Sequence, residues 1–203
     1  MPESSQHNYK TTELDPDLLS TPFRIQTNWH VITGAPSCGK TTLINLLADE
    51  GFQTVPECAR QYMEREKARG RTINDIHENG AALQLVIKNI QLTVEGGLRT
   101  SDVAFLDGAV PGSLNWYRVF GLNPNEILLE CFLHRYASVF VLDRLPLQLD
   151  GLRFKDDIHT GFLDEWLARD YRALGYDVLR VPVFAPEERL AFVLEEVSRQ
   201  GLI

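Results

Sequence analysis

Five short apolar runs punctuate the chain, at 29–33, 52–56, 103–107, 138–143 and 177–182, and longer stretches with helical spacing separate them. Near-continuous apolar runs of this length suit strands buried on both faces of a parallel sheet. The intervening pattern predicts helices over 42–48, over 58–69 with Gly70 as its stop, and over about 81–98. In the last of these, Leu83, Val86, Ile87, Ile90, Leu92 and Val94 recur at mainly helical spacing. Further helices are expected over 113–120, over 125–136 behind Pro124, over 156–174 before Gly175, and from Pro186 onward. Strands alternating with helices require right-handed crossovers, so the expected fold is an α/β sandwich: a five-stranded parallel sheet with helices on both faces. Residues 1–22 are polar, with no periodic apolar face before Leu18 and Leu19. They read as a flexible N-terminal arm or a short docking segment, and 23–203 as a single domain.

Composition narrows the function classes. The chain has 203 residues, 44% hydrophobic and 24% charged, enough for one well-buried core. A net charge of −8 argues against non-specific binding to nucleic acid or to an anionic membrane, both of which need basic surface. No apolar run approaches the roughly 20 residues of a membrane span. Cys38, Cys58 and Cys131 have no paired spacing, so neither a disulfide framework nor a zinc site is indicated, and a reducing cytoplasm is the expected location.

Between the first apolar run and the first helix stands Gly34-Ala35-Pro36-Ser37-Cys38-Gly39-Lys40-Thr41, which satisfies G-x-x-x-x-G-K-[ST]. The two glycines let the backbone turn so that successive N–H groups face one phosphate, and Lys40 adds charge for the outer phosphates. Thr41 brings a hydroxyl to Mg²⁺, and the helix that continues through Thr42 directs its positive end at the same anion. An ordinary glycine turn has no need of Lys40 or Thr41. Cys38 is a small filler within the loop. Nucleoside triphosphate binding follows, with ATP preferred over GTP because no [NT]-K-x-D pattern follows the fourth run, although GTP stays open.

Parallel sheets bind ligands beyond the carboxyl ends of their strands. After the second run come Glu57 and Arg60, at the end of the third Asp107, and after the fourth Asp143 and Arg144. Asp107 is the expected Mg²⁺ anchor, in the manner of a Walker B carboxylate. Glu57 is placed to take a proton from an attacking hydroxyl, with Arg60 three residues on along the same helical face; the plain alternative is a surface ion pair. In the loop that follows Arg144, Arg153, and second Lys155, could swing over the γ-phosphate. Arg144 is a candidate for stacking on a nucleobase. Trp116 and Tyr117 could line an acceptor pocket, or simply belong to the core. The histidines show no ligand spacing.

The phosphate loop, Glu57-Cys58-Ala59-Arg60, Phe105-Leu106-Asp107 and Asp150-Gly151-Leu152-Arg153 occur in this order. In this the chain resembles the NadR-like P-loop kinase/ATPase family, which includes ribosylnicotinamide kinase-like AAA domains. The resemblance implies a nucleoside-kinase-like fold, Glu57 and Arg60 facing the acceptor, Asp107 on the metal and Arg153 on the transferred phosphate. Many relatives follow the third-strand carboxylate with Arg or a second acid, where this chain has Gly108-Ala109, so the acceptor's identity stays open. The expectation is therefore a Mg²⁺- and ATP-dependent kinase acting on a small nucleoside-like metabolite. The alternative is a nucleotide-binding switch that docks a protein or lipid headgroup.

Overall fold

The computed structural model describes residues 11–145 and 157–201, with side chains of the second stretch described from 160 onward. Seven strands, β1 (Ile25–Gln26), β2 (Trp29–Thr33), β3 (Gln53–Val55), β4 (Ala104–Asp107), β5 (His134–Arg135), β6 (Ser138–Leu142) and β7 (Val178–Val181), occur among them. Eight helices accompany the strands: α1 (Pro16–Leu19), α2 (Lys40–Asp49), α3 (Cys58–Ala68), α4 (Ile73–His77), α5 (Gly80–Gly96), α6 (Gly112–Val119), α7 (Asp157–Ala173) and α8 (Pro186–Arg199). Five strands form one sheet in the order β3-β4-β2-β6-β7, every neighbouring pair parallel. The apolar runs thus became the sheet, each trimmed by a residue or two except the first.

Alternation along these strands splits the core in two. Val31, Leu106, Val139 and Val141 point to the face shared with Leu114 of α6, Tyr171 of α7 and Leu174 just beyond it. Ile32, Phe105, Phe140 and Leu142 point to the face covered by Leu43, Ile44 and Leu47 of α2 and by Val193 and Val197 of α8. His30 lies on this second face, fully buried. Its Nδ1 meets Ser138 Oγ at 2.5 Å, its ring stacks on Phe105, and burial lowers its pKa to about 4, so it is a neutral core residue.

The register places the site. Ile32 pairs with Asp107 and Thr33 with Val141, so the phosphate loop, Asp107 and the end of β6 leave the sheet at one level. From central β2 the chain first goes to the edge strand β3, returns to β4 beside β2, then crosses to β6 on the other side. The loop after β2 therefore opens at the switch point where parallel sheets form crevices.

One expectation changes, and of the two readings of the N-terminal stretch the docking one fits residues 12–19. The helix expected over 125–136 is instead two 3-10 turns, Pro124–Glu126 and Leu128–Phe132, followed by β5, which pairs in parallel with β1. Leu128, Cys131 and Phe132 are buried at i, i+3 and i+4, a spacing that a tight turn satisfies as well as an α-helix does. Within the stretch expected as an arm, residues from Thr12 to Leu19 lie docked. Leu14 is buried, Asp15 caps α1 and donates its N–H to Asn125 Oδ1 at 2.9 Å, Glu13 pairs with Arg169, and the Thr12 carbonyl accepts from Arg118 Nε at 2.8 Å. Arg118 is itself fully buried, in a bidentate pair with Asp170.

Candidate active site

The loop between β2 and α2 owes its shape to backbone conformations that few residues adopt. Gly34 has φ +144°, and a Cβ there would lie 2.8 Å from Cys38 Sγ and 2.9 Å from the Leu142 carbonyl oxygen. Gly39, with φ +95°, is the N-cap of α2, and Ser37 also takes a positive φ, 65°. This sequence of turns makes an anion-binding concavity at a helix N-terminus. Lys40 Nζ reaches back over the loop and donates to the carbonyls of Gly34 and Ala35, both at 3.0 Å. Ala35, Pro36, Ser37, Thr41 and Thr42 line the same cavity, while the Cys38 side chain packs behind them in the core, the filler expected of it.

Asp107 ends β4 one register step from the loop. Thr41 Oγ1 donates to Asp107 Oδ2 at 3.4 Å, and Asp107 Oδ1 is buried with no partner among the described residues. Burial is the largest influence on this carboxyl and raises its pKa to about 6; Lys40 opposes the rise and Glu57 adds to it. A hydroxyl and a carboxylate with a spare oxygen, facing a phosphate cradle, fit Mg²⁺. No group of three or more acidic, His or Cys side chains suited to a metal occurs among the described residues, so water and phosphate oxygens would complete the coordination.

From this end a cavity of about 890 Å³ continues between α3, α4, α5, α6 and the first half of α7. Glu57 and Arg60 stand at its side. Glu57 is the N-cap residue of α3 but makes no capping hydrogen bond, and its carboxylate lies 3.7 Å from Arg60 Nε in a half-exposed pair. Trp116 lines the cavity with its ring stacked near that of Phe120. Phe120 in turn sits where a side chain on Gly80 would be, a Cβ there falling 2.1 Å from the ring, so only glycine lets α5 start so close. Tyr117, the other aromatic candidate, is a core residue. Cys58 also lines the cavity, but burial pushes its thiol up to about 11.

Two positions singled out after the fourth strand are not among the described residues that line the cavity. Arg144 extends toward α7, its Nη1 3.5 Å from where a Cβ on Gly161 would lie, and is not among the described residues lining the cavity. Asp143 is engaged by Arg180, which also holds Asp164 of α7. Arg153 and Lys155 lie outside the described residues.

The structure adds residues that the sequence pattern did not single out. Arg189 of α8, buried, donates to the carbonyls of Cys38 at 2.6 Å, Pro182 at 2.8 Å and Asp143 at 3.1 Å. It fastens the phosphate loop to the ends of β6 and β7. His77, Gln84, Gln91 and Asn115 line the cavity beyond Glu57. On α5 the buried polar residues Gln84, Lys88, Gln91 and Glu95 fall at i, i+4, i+7 and i+11, a helical stripe, while Leu85 and Val86 are exposed. A search for polar residues at helical spacing would have found it.

A parallel sheet whose central strand enters a Gly-Lys-Thr loop, with an acid closing the next strand, has the architecture of the P-loop kinases. The chain belongs to the AAA domain family AAA_28, whose model matches residues 29–189, and its fold is that of the NadR-like P-loop kinases. It is similar to NadR protein solved in complex with NR (TM-score 0.62, 18% identity, 85% of this chain and 51% of that one). It is also similar to shikimate kinase from Aquifex aeolicus vf5 (TM-score 0.53, 18% identity, 86% and 98%). Thymidylate kinase from Candida albicans aligns with a TM-score of 0.51 at 14% identity over 90% and 95%. The chain spans about half the length of the NadR chain. No curated protein matches it by sequence. No helix among the described residues is long and apolar enough to cross a membrane.

Proposed function

We propose that the protein is a Mg²⁺- and ATP-dependent kinase that transfers the γ-phosphate to a hydroxyl of a small nucleoside-like metabolite. The observation that carries this reading is the continuity of one cavity from the phosphate loop, past the Thr41 and Asp107 pair, to a pocket walled by Glu57, Arg60 and Trp116. A nucleotide switch has no need of the second half. The nucleoside-like acceptor is supported by NadR protein, whose fold this chain shares and which was solved with NR and with NAD and AMP-PNP.

In this reading the loop amides from Gly34 to Thr42 hold the phosphates, and Lys40 leaves the loop carbonyls for the outer phosphate oxygens. Thr41 and Asp107 hold Mg²⁺, which supplies neutralisation of charge on the migrating phosphoryl group. The Glu57 carboxylate takes the hydroxyl proton as the acceptor oxygen bonds to the γ-phosphorus and ADP departs. Arg60 and Trp116 bind the acceptor.

The test is ADP release with Mg·ATP across a panel of nucleosides and vitamins, run beside Glu57→Gln. A kinase shows stimulation by at least one acceptor, and the variant loses about 10²-fold or more in kcat while keeping its affinity for Mg·ATP. Firm Mg·ATP binding with no stimulation by any acceptor overturns the reading and leaves the switch.

A further inference from the structure

The chain that leaves Asp107 is pinned at two points. Gly108, with φ +81°, donates its N–H to the Ile32 carbonyl of β2 at 2.9 Å, and Val110 donates its N–H to Glu95 Oε1 of α5 at 3.1 Å. Val110 and Glu95 are each 1% exposed, so water is not at hand to replace either end of that bond. The other bonds here, from the N–H groups of Gly112, Ser113 and Leu114 to the carbonyls of Ala109, Val110 and Pro111, stay within the turn and the start of α6. Among the described residues, Glu95 is therefore the hydrogen-bonding partner that ties this turn to another helix downstream of Gly108.

The anchor is itself firmly held. Gln91 Nε2, at 3.0 Å, and the Val110 N–H donate to Glu95 Oε1; the Tyr136 hydroxyl donates to Oε2 at 2.9 Å, and His134 Nδ1 meets the same oxygen at 3.3 Å. One carboxylate thus joins α5, the end of β5 and the turn after β4.

What that turn follows is the metal-facing carboxylate. Asp107 has little to hold its side chain: a 3.4 Å bond from Thr41 Oγ1, and an Oδ1 with no partner among the described residues. Its aim comes from the main chain on either side. On the sheet side that is the pairing of Asp107 with Ile32. Beyond it is the turn to Val110, where glycine at position 108 lets the chain swing once Val110 is released.

Resting on the Mg·ATP part of the kinase reading, we propose that Glu95 is a positioning residue for the metal site: through the Val110 N–H it holds the turn that aims Asp107 at Mg²⁺. It acts from behind, since it is not among the described residues that line the cavity. Glutamine can serve in its place, because its carbonyl takes the Val110 and Gln91 donors while its Nε2 faces the Tyr136 oxygen and His134 Nδ1, both able to accept. Leucine fills the space and accepts nothing.

Calorimetry of ATP with Mg²⁺ and with EDTA reads the metal's share of the affinity without requiring turnover. Mg²⁺ is expected to tighten binding in the wild type. In Glu95→Leu that gain shrinks about tenfold, affinity in EDTA is unchanged, and the Mg²⁺ concentration for half-maximal ADP release rises by a similar factor. Glu95→Gln returns both close to wild type, and amide hydrogen exchange over 107–112 speeds up only in the leucine variant. Glu95→Asp, whose carboxylate falls one methylene short of Val110, reports the same loss where the leucine variant does not fold. A leucine variant that melts lower yet keeps the wild-type Mg²⁺ gain marks a merely structural residue and overturns the inference. So does a glutamine variant that loses the gain as fully as leucine. Mg²⁺-dependent ATP binding without ADP release for any acceptor removes the phosphoryl-transfer reading, while the calorimetric comparison still decides for or against Glu95.

Discussion

At the phosphate end of the cavity the groups facing the ligand come from one continuous stretch, Gly34 to Thr42, joined by a single carboxylate from the neighbouring strand. At the acceptor end they come from α3, α4, α5, α6 and α7, and buried side-chain bonds such as Gln91 to Glu95 and Asn115 to the Leu163 carbonyl hold them. The first is mainly main-chain architecture, where a side-chain change matters if it alters the turn, removes charge or takes away the Thr41 hydroxyl. The second is a mosaic in which each side chain can be exchanged on a helix that stays in place. One end is thus built to be constant and the other to be retuned.

The comparison is broken most severely at Lys40. Lys40→Ala removes the cation that the loop carbonyls of Gly34 and Ala35 hold at 3.0 Å. ADP release should fall on the order of 10³-fold, with Mg·ATP affinity also weakened and thermal stability unchanged, as kinetics, calorimetry and melting curves would show. Retained turnover would mean that the loop is not the phosphate site.

Arg189→Met probes whether the constant end depends on α8. It strips a donor from the carbonyls of Cys38, Pro182 and Asp143, at a cost of about 1–3 kcal/mol in denaturant unfolding. Because the Cys38 carbonyl belongs to the loop, Mg·ATP affinity should drop about tenfold, while preference among acceptors stays as it was.

A further effect sharpens the contrast by pH. Asp107 has its pKa raised from the usual 3.8 to about 6, first by burial. The native state therefore holds this proton more tightly than the unfolded chain does. The associated stability is full below about pH 4 and is lost as pH rises through about 6, at most ~3 kcal/mol by linkage. Asp107→Asn should raise the melting temperature of the nucleotide-free protein above pH 6 and leave it unchanged near pH 4. The same variant should lose the Mg·ATP-induced stabilisation that the wild type gains above pH 6. Equal melting shifts at both pH values would contradict the buried-carboxyl account.

The same division explains what the sequence made legible. The phosphate loop and Asp107 could be read because the chemistry is contiguous, or stands at the end of an apolar strand. Asn115 could not, because its partner is the Leu163 carbonyl on another helix, whereas Gln84 and Gln91 were visible only as polar residues at helical spacing. On α5 the apolar positions were expected to mark the inward face, yet a polar stripe is buried and Leu85 and Val86 are exposed. Gln84 and Gln91 face the cavity, while Lys88 is buried on Glu130 and Glu95 on Tyr136 and the Val110 N–H, so burial there follows polar partners as well as the cavity. Arg189 had no local signal, since its three acceptors come from three separate turns, two of them far away in the chain. The two-residue strands β1 and β5 are too short to show any period, and the i, i+3, i+4 spacing before β5 reads equally as an α-helix.

Arg118 stands directly after the wall residues Asn115 and Trp116, and one of its bonds ends on the carbonyl of Thr12. A truncation past Glu13 would take one acceptor from this buried guanidinium and leave Asp170 as its remaining carboxylate partner. That guanidinium stands one helical turn from Asn115 on the same helix, so a change in the first thirteen residues would be felt from behind in the wall of the cavity.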